Sequence, residues 1–189
     1  MTEMVAFFVI MYALGAALNK DVQKTKQEVE QMMKEEKIEG KVEVTKDGMR
    51  ITMQEGGEQI GDAGPFFESA KAELTPRMID ILQHLAPKLK ELAVKDHDVI
   101  VEGHTDNLPV KGGAGLYPTN WELSTARATT VVRYMIDNTN FPPTRLGATG
   151  YGEQRPEGPN DSDANRAKNR RVVFFIKNAP QKFKPKGSE

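Results

Sequence analysis

The first place in the sequence where chemistry could occur is a hydrophobic run that ends in polar side chains. Residues 99–101 read Val-Ile-Val, and the polar side chains that follow are those of His104, Thr105, Asp106 and Asn107. The run predicts a β-strand that carries these side chains at its C-terminal end. There an aspartate can bind an ammonium group, although it can also simply cap the turn after the strand.

Two further stretches present arginines. Residues 123–128 read Leu-Ser-Thr-Ala-Arg-Ala and predict the start of a helix with Arg127 one turn in. Residues 165–174 end a polar loop with Arg170 and Arg171 and continue into an apolar strand. A guanidinium group can hold a carboxylate through two parallel hydrogen bonds. Because successive residues of a strand face opposite sides, only one of Arg170 and Arg171 can enter a shared site.

The three stretches together suit a ligand that carries both a carboxylate and an amine. A less specific alternative remains for Arg127, which could be a surface residue paired with Glu122. His104 has its own alternative, that of a packed or hydrogen-bonded histidine at the end of a strand.

Catalysis and metal binding are poorly supported by the same residues. Ser124 lies near His104 and Asp106 by this pattern, but no nucleophile elbow surrounds it and it falls in the first turn of a helix. A zinc site needs more nitrogen or sulfur ligands, and the sequence has no cysteine, while His84 and His97 lie elsewhere. We therefore predict no enzymatic activity, no metal and no cofactor.

The N-terminal half of the predicted scaffold is a hairpin followed by a helix. Val42 and Val44 alternate with polar residues, and Asp47-Gly48 predicts the turn into a second strand. Thr75 predicts the N-cap of a helix that has proline at its first position. The apolar residues of that helix recur at helical spacing and should face the core: Ile79, Leu82, Leu85, Ala86, Leu89, Leu92 and Ala93.

The second half adds one helix and two strands. Thr119 and Glu122 stand at capping-box spacing, which predicts a helix from about Asn120. Its core-facing residues are predicted to be Trp121, Ala128, Val131, Val132 and Met135. A short strand over 145–151, a brief helix and a strand over 172–176 follow. This order predicts an α/β fold, specifically an α+β two-layer sandwich whose mixed sheet is covered by helices on one face.

The three polar stretches resemble the OmpA-like peptidoglycan-binding domain. Residues 117–124, which read Tyr-Pro-Thr-Asn-Trp-Glu-Leu-Ser, narrow the resemblance to the flagellar stator B subunits, the MotB family. The resemblance implies that Asp106 and Arg127 hold the zwitterionic end of the stem-peptide diamino acid. It also implies that the wall of the site is formed by Thr105, Asn107, Leu123, Asn165 and Arg170.

The N-terminus has an uncharged run over residues 4–18. About 20 apolar residues cross a bilayer as a helix. A signal peptide should begin with Lys or Arg, whereas Glu3 precedes this run, and a buried core helix should show a polar face. A membrane segment is favoured over both. Stator B subunits carry an ion-binding aspartate early in this helix, and the first aspartate here is Asp21. Either the sequence is a fragment begun at an internal Met or it is a paralogue without the ion site; the coupling ion cannot be inferred.

The predicted organisation has four segments. Residues 19–40 are rich in charge and carry a thin apolar stripe, made of Val22, Val29, Met32 and Met33. This stripe suits a solvated linker helix, a dimer coiled coil or, by resemblance, a plug that restrains ion leakage. The segments are a partial transmembrane helix over 1–18, this linker over 19–40, an OmpA-like domain over 41–180 and a disordered tail over 181–189.

Composition limits the classes of function. A net charge of −1 argues against a nucleic-acid binder, and the lack of cysteine excludes disulfides and a lipidated cysteine. The resemblance implies a single-pass protein of the bacterial inner membrane with its C-terminal domain in the periplasm. Its partners would be the peptidoglycan stem peptide, a MotA-like A subunit and a second copy in a homodimer. The alternatives are an envelope tether without a motor role and a cell-wall hydrolase.

Overall fold

The structure is a computed structural model that describes residues 20–55, 64–110 and 116–178. The predicted membrane segment over 4–18 and the tail over 181–189 lie outside these ranges. Within them, no helix combines the length and the apolar character needed to cross a bilayer.

Five strands form one mixed sheet. The elements in chain order are helix α1 (described over 20–35), β1 (Glu39–Thr45), β2 (Gly48–Gln54), α2 (Pro76–Ala93), β3 (Val99–His104), α3 (Asn120–Thr139), a 3-10 turn (Pro143–Arg145), β4 (Leu146–Gly150), α4 (Asp163–Asn169) and β5 (Arg171–Lys177). The spatial order is β1-β2-β5-β3-β4. β3 and β4 are parallel, whereas the other neighbours are antiparallel. The predicted α/β class and mixed sheet are confirmed.

The hairpin and the start of α2 follow their local signals. β1 and β2 form the predicted hairpin with Thr45 paired to Gly48, but the two turn residues are Lys46 and Asp47, one position earlier than the predicted Asp47-Gly48 turn. Thr75 caps α2, since its hydroxyl accepts a hydrogen bond from the Met78 amide. Most of the predicted stripe of α2 is buried, but Ile79 is only half-buried. Met78 and Ile81 take part in the core in addition to the predicted residues.

Helix α3 confirms its predicted start and corrects one core residue. Thr119 and Glu122 form both hydrogen bonds of a capping box. Trp121, however, is 47% exposed, so its prediction as a core residue is wrong. The buried face is centred on Ser124, Ala128 and Val131. Trp121 precedes Ala128 by seven residues and so lies on nearly the same side of the helix. In the first turn, however, that side is at the margin of the buried face.

The apolar stripe of α1 is buried within the chain. Val22, Val29, Met32 and Met33 belong to the same hydrophobic cluster as the sheet and α2. The stripe is therefore not left to solvent, which corrects the interpretation as a solvated linker. Exposed ion pairs such as Asp21–Lys95 also join α1 to the end of α2, and such pairs add little stability. The role of segment 19–40 as a plug stays a prediction.

Truncation of a side chain in the α2 stripe should measure how much this core contributes to the free energy of unfolding. Leu82 is fully buried, so Leu82→Ala should lower the free energy of unfolding by about 2–5 kcal/mol in urea titration. Val94 at the end of the same helix is 68% exposed, and Val94→Ala should change it by less than about 0.5 kcal/mol. Equal effects of the two substitutions would contradict this assignment of the core.

Candidate ligand-binding cleft

The first turn of α3 lies directly on strands β3 and β4 because both strands have glycine at the contact. Gly103 and Gly150 are register partners. A Cβ atom on Gly103 would lie 2.2 Å from the Ser124 carbonyl oxygen, and one on Gly150 would lie 2.3 Å from the Thr125 amide nitrogen. Any side chain at either position would therefore push the helix away from the sheet.

The Ser124 hydroxyl holds the same junction together. It donates to the Trp121 carbonyl at 3.1 Å and accepts from the Gly152 amide at 2.9 Å. The Gly152 carbonyl in turn accepts from the Thr105 amide at 3.0 Å. Ser124 is fully buried, so its hydroxyl has a structural role and is not presented to a substrate.

A cleft of about 530 Å³ opens beside this junction. Its polar and charged side chains come from the end of β2, the end of β3, the first turns of α3 and the start of β5. They are Glu55, Thr105, Asp106, Asn120, Arg127 and Arg170, and Ser69 is added from the stretch before α2. The cleft therefore combines two carboxylates with two guanidinium groups in one place.

Asp106 combines both roles that the sequence left open. Its Oδ1 accepts from the Leu108 amide at 3.0 Å, which caps the turn after β3. Its Oδ2 accepts from Arg170 Nη1 at 2.8 Å inside the cleft. The Asn120 side chain fixes the same turn, since it donates to the backbone carbonyls of Asp106 and Leu108 at 3.3 and 3.0 Å.

Arg170 bridges the two acids of the cleft. Besides its bond to Asp106, its Nε donates to Glu55 Oε2 at 3.0 Å. Burial acts to lower the pKa of Arg170, but the hydrogen bond to Asp106 and the charge of Glu55 outweigh burial and raise it. Arg171 points to the other face of the sheet, where it lines a separate cavity. The prediction that only one of the two arginines enters the shared site is thus what the structure shows.

Arg127 is 7% exposed and is held by backbone carbonyls instead of an acid. Nε donates to the Lys71 carbonyl at 2.9 Å and Nη2 to the Glu68 carbonyl at 3.3 Å, and the guanidinium lies 4.9 Å from the centre of the Phe67 ring. The alternative pairing with Glu122 does not occur, since Glu122 caps α3. Burial lowers the pKa of Arg127.

The remaining predicted site residues divide into two groups. Thr105 and Leu123 line the cleft. Asn107 is exposed, and its amide donates to Asn160 at 3.3 Å. Asn165 donates to Asp161 at 2.7 Å and is not among the cleft's lining residues. The structure therefore does not bring Asn107 and Asn165 to the cleft, and a binding role for either stays a prediction.

Sequence reasoning missed Glu55, Phe67 and Asn120. Glu55 follows the last residue of β2, so the sequence places it at a strand end but not at this cleft. Asn120 lies at the start of α3, beside the capping residue Thr119. Phe67 comes from an irregular stretch before α2, and nothing in its local pattern pointed to the cleft.

His104 is packed at the end of its strand, on the face opposite the core. It is 3% exposed and stacks on Tyr151 with the ring centres 5.3 Å apart. Neither ring nitrogen has a hydrogen-bond partner within the described residues, and Glu102 Oε2 lies 3.7 Å from Nε2. Burial lowers the pKa of His104; the charges of Arg171 and Arg155 act in the same direction, and Glu102 opposes them.

One group of side chains has the composition of a metal site. Glu36, Asp80 and His84 offer ligand atoms that lie within 4.8 Å of one another, between α1 and α2. Asp80 and His84 are exposed, and His84 already pairs with Glu36 at 2.6 Å. Clusters of this kind are common on protein surfaces without an ion, so this one does not indicate a cofactor.

A known family model covers most of the residues that line this cleft. The model of the OmpA family matches residues 66–170, more than half of the chain, and this range holds Asp106, Arg127 and Arg170. The chain belongs to the OmpA family. Glu55, which binds Arg170, lies before the range matched by the OmpA-family model.

Individual relatives extend the comparison beyond the OmpA-family region. Motility protein B of Bacillus subtilis is 33% identical over 165 residues, which cover 85% of this chain and 58% of that protein. A MotB-like protein from Desulfovibrio vulgaris shares the fold at 24% identity, with a TM-score of 0.68 over 90% of this chain and 99% of that one. The cell wall anchor of the T6SS from Pseudomonas aeruginosa is 29% identical, with a TM-score of 0.65 over 80% and 95%.

The lowered pKa of His104 predicts acid sensitivity of the OmpA-family domain. The ordinary pKa of histidine is 6.5, so below this pH the unfolded chain binds a proton that buried His104 resists. The contribution to stability is fully present above about pH 6.5 and is lost as pH falls towards the lower folded pKa. Unfolding free energies measured from pH 8 to 5 should therefore decline on the acid side.

The decline should be smaller in His104→Gln. His84→Gln is the matched control, because His84 is exposed and lies on α2, away from β3. If His104→Gln keeps the full decline, another group is responsible.

Proposed function

We propose that the chain binds peptidoglycan non-covalently and anchors a flagellar motor stator to the cell wall. The observation that carries this proposal is the meeting of Asp106 and Arg127 in one cleft. A second pair, Glu55 and Arg170, balances their charges, so the cleft has no net formal charge.

A balanced cleft of this kind suits a zwitterion better than a simple ion. Asp106 can accept hydrogen bonds from an ammonium group at the lone pairs that Leu108 and Arg170 leave unused. Arg127 uses Nε and Nη2 on carbonyls, which leaves the Nη1 donors for a carboxylate. The diamino acid of a peptidoglycan stem peptide carries both groups at one end, and its apolar chain can lie against Phe67 and Leu123.

The motor assignment rests on how far the likeness to Motility protein B extends. That match covers 165 residues, whereas the OmpA-family model covers only 66–170. A relative named as a cell wall anchor supports the anchoring role. Because the chain spans 58% of the length of Motility protein B, the activity of that whole protein is proposed here and not inferred directly.

The proposed assembly follows from the anchoring role. The uncharged run over residues 4–18 would be part of the single span in the inner membrane, the domain would lie in the periplasm, and a MotA-like A subunit and a second copy of the chain would complete the stator. Two sites in a homodimer raise the apparent affinity through effective concentration, so each cleft need not bind tightly.

We propose binding without hydrolysis. Ser124 is buried; its hydroxyl donates to the Trp121 carbonyl within α3 and accepts from the Gly152 amide, which ties α3 to the turn after β4. Muropeptide release from purified cell wall that stops in Ser124→Ala would contradict this part of the proposal.

Co-sedimentation with purified sacculi should test the cleft. Asp106→Asn removes the charge but keeps an acceptor for Leu108, and Arg127→Gln removes the donors for a carboxylate. Each should weaken binding about tenfold or more, because a charged hydrogen bond contributes roughly 1.5–3 kcal/mol. Arg133→Gln, on the exposed side of the same helix, should bind like the parent.

Urea unfolding of each variant separates binding from folding. Arg127 also holds the Glu68 and Lys71 carbonyls, so Arg127→Gln should lose some stability, whereas Asp106→Asn tests the ligand contact more directly. If both variants sediment with sacculi as the parent does, the cleft is not the binding site.

Deletion of the gene in its own host should separate a motor anchor from a general tether. We expect loss of spreading in soft agar with normal resistance to detergent, because the stator fails while the envelope stays intact. Complementation with Asp106→Asn should restore spreading poorly. Normal swimming together with a detergent-sensitive envelope would favour the tether without a motor role.

A further inference from the structure

The face of the sheet opposite the helices carries a second set of charged side chains, here called the back face. Residues of β2, β3 and β5 alternate, so Val101 and Phe174 enter the core while Glu102 and Arg171 do not. His104 and Arg171 are direct cross-strand partners. Side chains of such a pair lie side by side on one face, with Cβ atoms about 4.5–5.5 Å apart.

A cavity of about 300 Å³ lies on the back face, between the sheet and the loop after β4. The side chains that matter to its chemistry are Arg50, Glu102, His104, Arg155, Glu157 and Arg171. It is separate from the OmpA-family cleft, because Arg170 and Arg171 point to opposite sides of the sheet.

The acids of this cavity already have cationic partners. Both oxygens of Glu102 accept from Arg50, each at 3.0 Å. Glu157 lies 3.5 Å from Lys41, and Lys41 also pairs with Glu43 at 3.1 Å. A cation would therefore find no unpaired carboxylate among the described residues that line the cavity.

Two deeply buried side chains have nitrogens without a hydrogen-bond partner. The side chain of Arg171 is 5% exposed; Nη1 and Nη2 donate to backbone carbonyls, while Nε has no partner and lies 3.8 Å from Glu157. The side chain of His104 is 2% exposed, and both its ring nitrogens lack a partner among the described residues. Buried polar groups are almost always hydrogen-bonded to protein or to water, so these nitrogens can accept a hydrogen-bonding partner in the space between the two side chains.

We propose that this cavity binds a small carboxylate. One oxygen accepts from Arg171 Nε and from the N–H of His104, which are neighbours across β3 and β5. The exposed guanidinium of Arg155, held 3.6 Å above the centre of the Tyr151 ring, covers the carboxylate from the solvent side. This proposed site does not depend on the proposed anchoring function.

The glutamates select the charge of the ligand. Glu43, Glu102 and Glu157 all line the cavity and are balanced by Lys41 and the arginines, so little positive charge remains. A monoanion such as a carboxylate is neutralised there, whereas the doubly charged form of phosphate meets repulsion from three acids. The site should therefore prefer acetate to inorganic phosphate.

Side-chain NMR of the 189-residue chain can test this with acetate as the probe, against chloride at equal ionic strength. Acetate should shift the His104 ring signals in a saturable way and raise the pKa of His104. The signals of His84 and His97 should not move, because His84 on α2 pairs with Glu36 and His97 bonds the Lys177 carbonyl. Phosphate should give a smaller response than acetate.

Variants distinguish a built site from a general salt effect. Arg171→Gln should weaken acetate binding roughly tenfold. Since Arg171 also ties two loops, Arg155→Gln serves as a variant at an exposed residue that should fold normally and still weaken binding severalfold. Arg133→Gln on α3 is the control and should leave the response unchanged. An unresponsive His104, equal shifts of all three histidines, unchanged binding in Arg155→Gln, or a stronger response to phosphate would each overturn the proposal.

Discussion

The cleft depends on a backbone contact between α3 and the sheet. Gly103 and Gly150 let the carbonyl of Ser124 and the amide of Thr125 approach within distances that any Cβ atom would prevent. That approach sets Asp106, at the end of β3, beside Arg127, one turn into α3. The two charges proposed to bind the ligand come from different elements, and their spacing is therefore only as precise as this contact. Substitution of either glycine would shift α3 and with it Arg127, although neither glycine lies in the cleft.

Charge balance within the cleft limits how strongly it can bind. Arg170 already pairs with Asp106 and Glu55, so the proposed ammonium group of the ligand would share Asp106 with a guanidinium. This internal pairing satisfies buried charges before the ligand arrives and holds Asp106 in place. As a consequence, the net free energy gained when the ligand binds is smaller. Modest affinity suits an anchor that works through several linked copies, since removal of one copy is then fast while the assembly stays attached.

Local signals predicted the elements well because each depends on residues close in sequence. The capping box at Thr119 and the N-cap at Thr75 are satisfied within one helical turn, and both were read correctly. Trp121 was misassigned because seven-residue spacing does not say where the neighbouring sheet lies. Asn165 was expected at the cleft by resemblance, yet in the structure it pairs with Asp161 in its own loop.

The residues that were missed depend on tertiary contacts. Glu55 and Arg170 are separated by 115 positions and meet only because β2 and β5 are neighbours in the sheet. Phe67 reaches Arg127 from an irregular stretch that no periodicity describes. Strand order was not predicted from sequence, so no argument from spacing could have brought Glu55 into the cleft.

Alternation along one strand gives the two adjacent arginines separate environments. Arg170 pairs with two acids on the side of the cleft, while Arg171 lies beside His104 on the back face with its Nε 3.8 Å from Glu157. On the neighbouring strand, His104 is the last residue of β3 and lies on the back face, whereas Asp106 follows the end of β3 and lies in the cleft. Each side of the sheet therefore receives one group from the end of β3 and one from the start of β5. A change in backbone position at the start of β5 would alter both sites together. The short segment from Asn169 to Arg171 is accordingly held by hydrogen bonds from the Asn169 side chain to residues 158 and 160, which keeps both arginines in register.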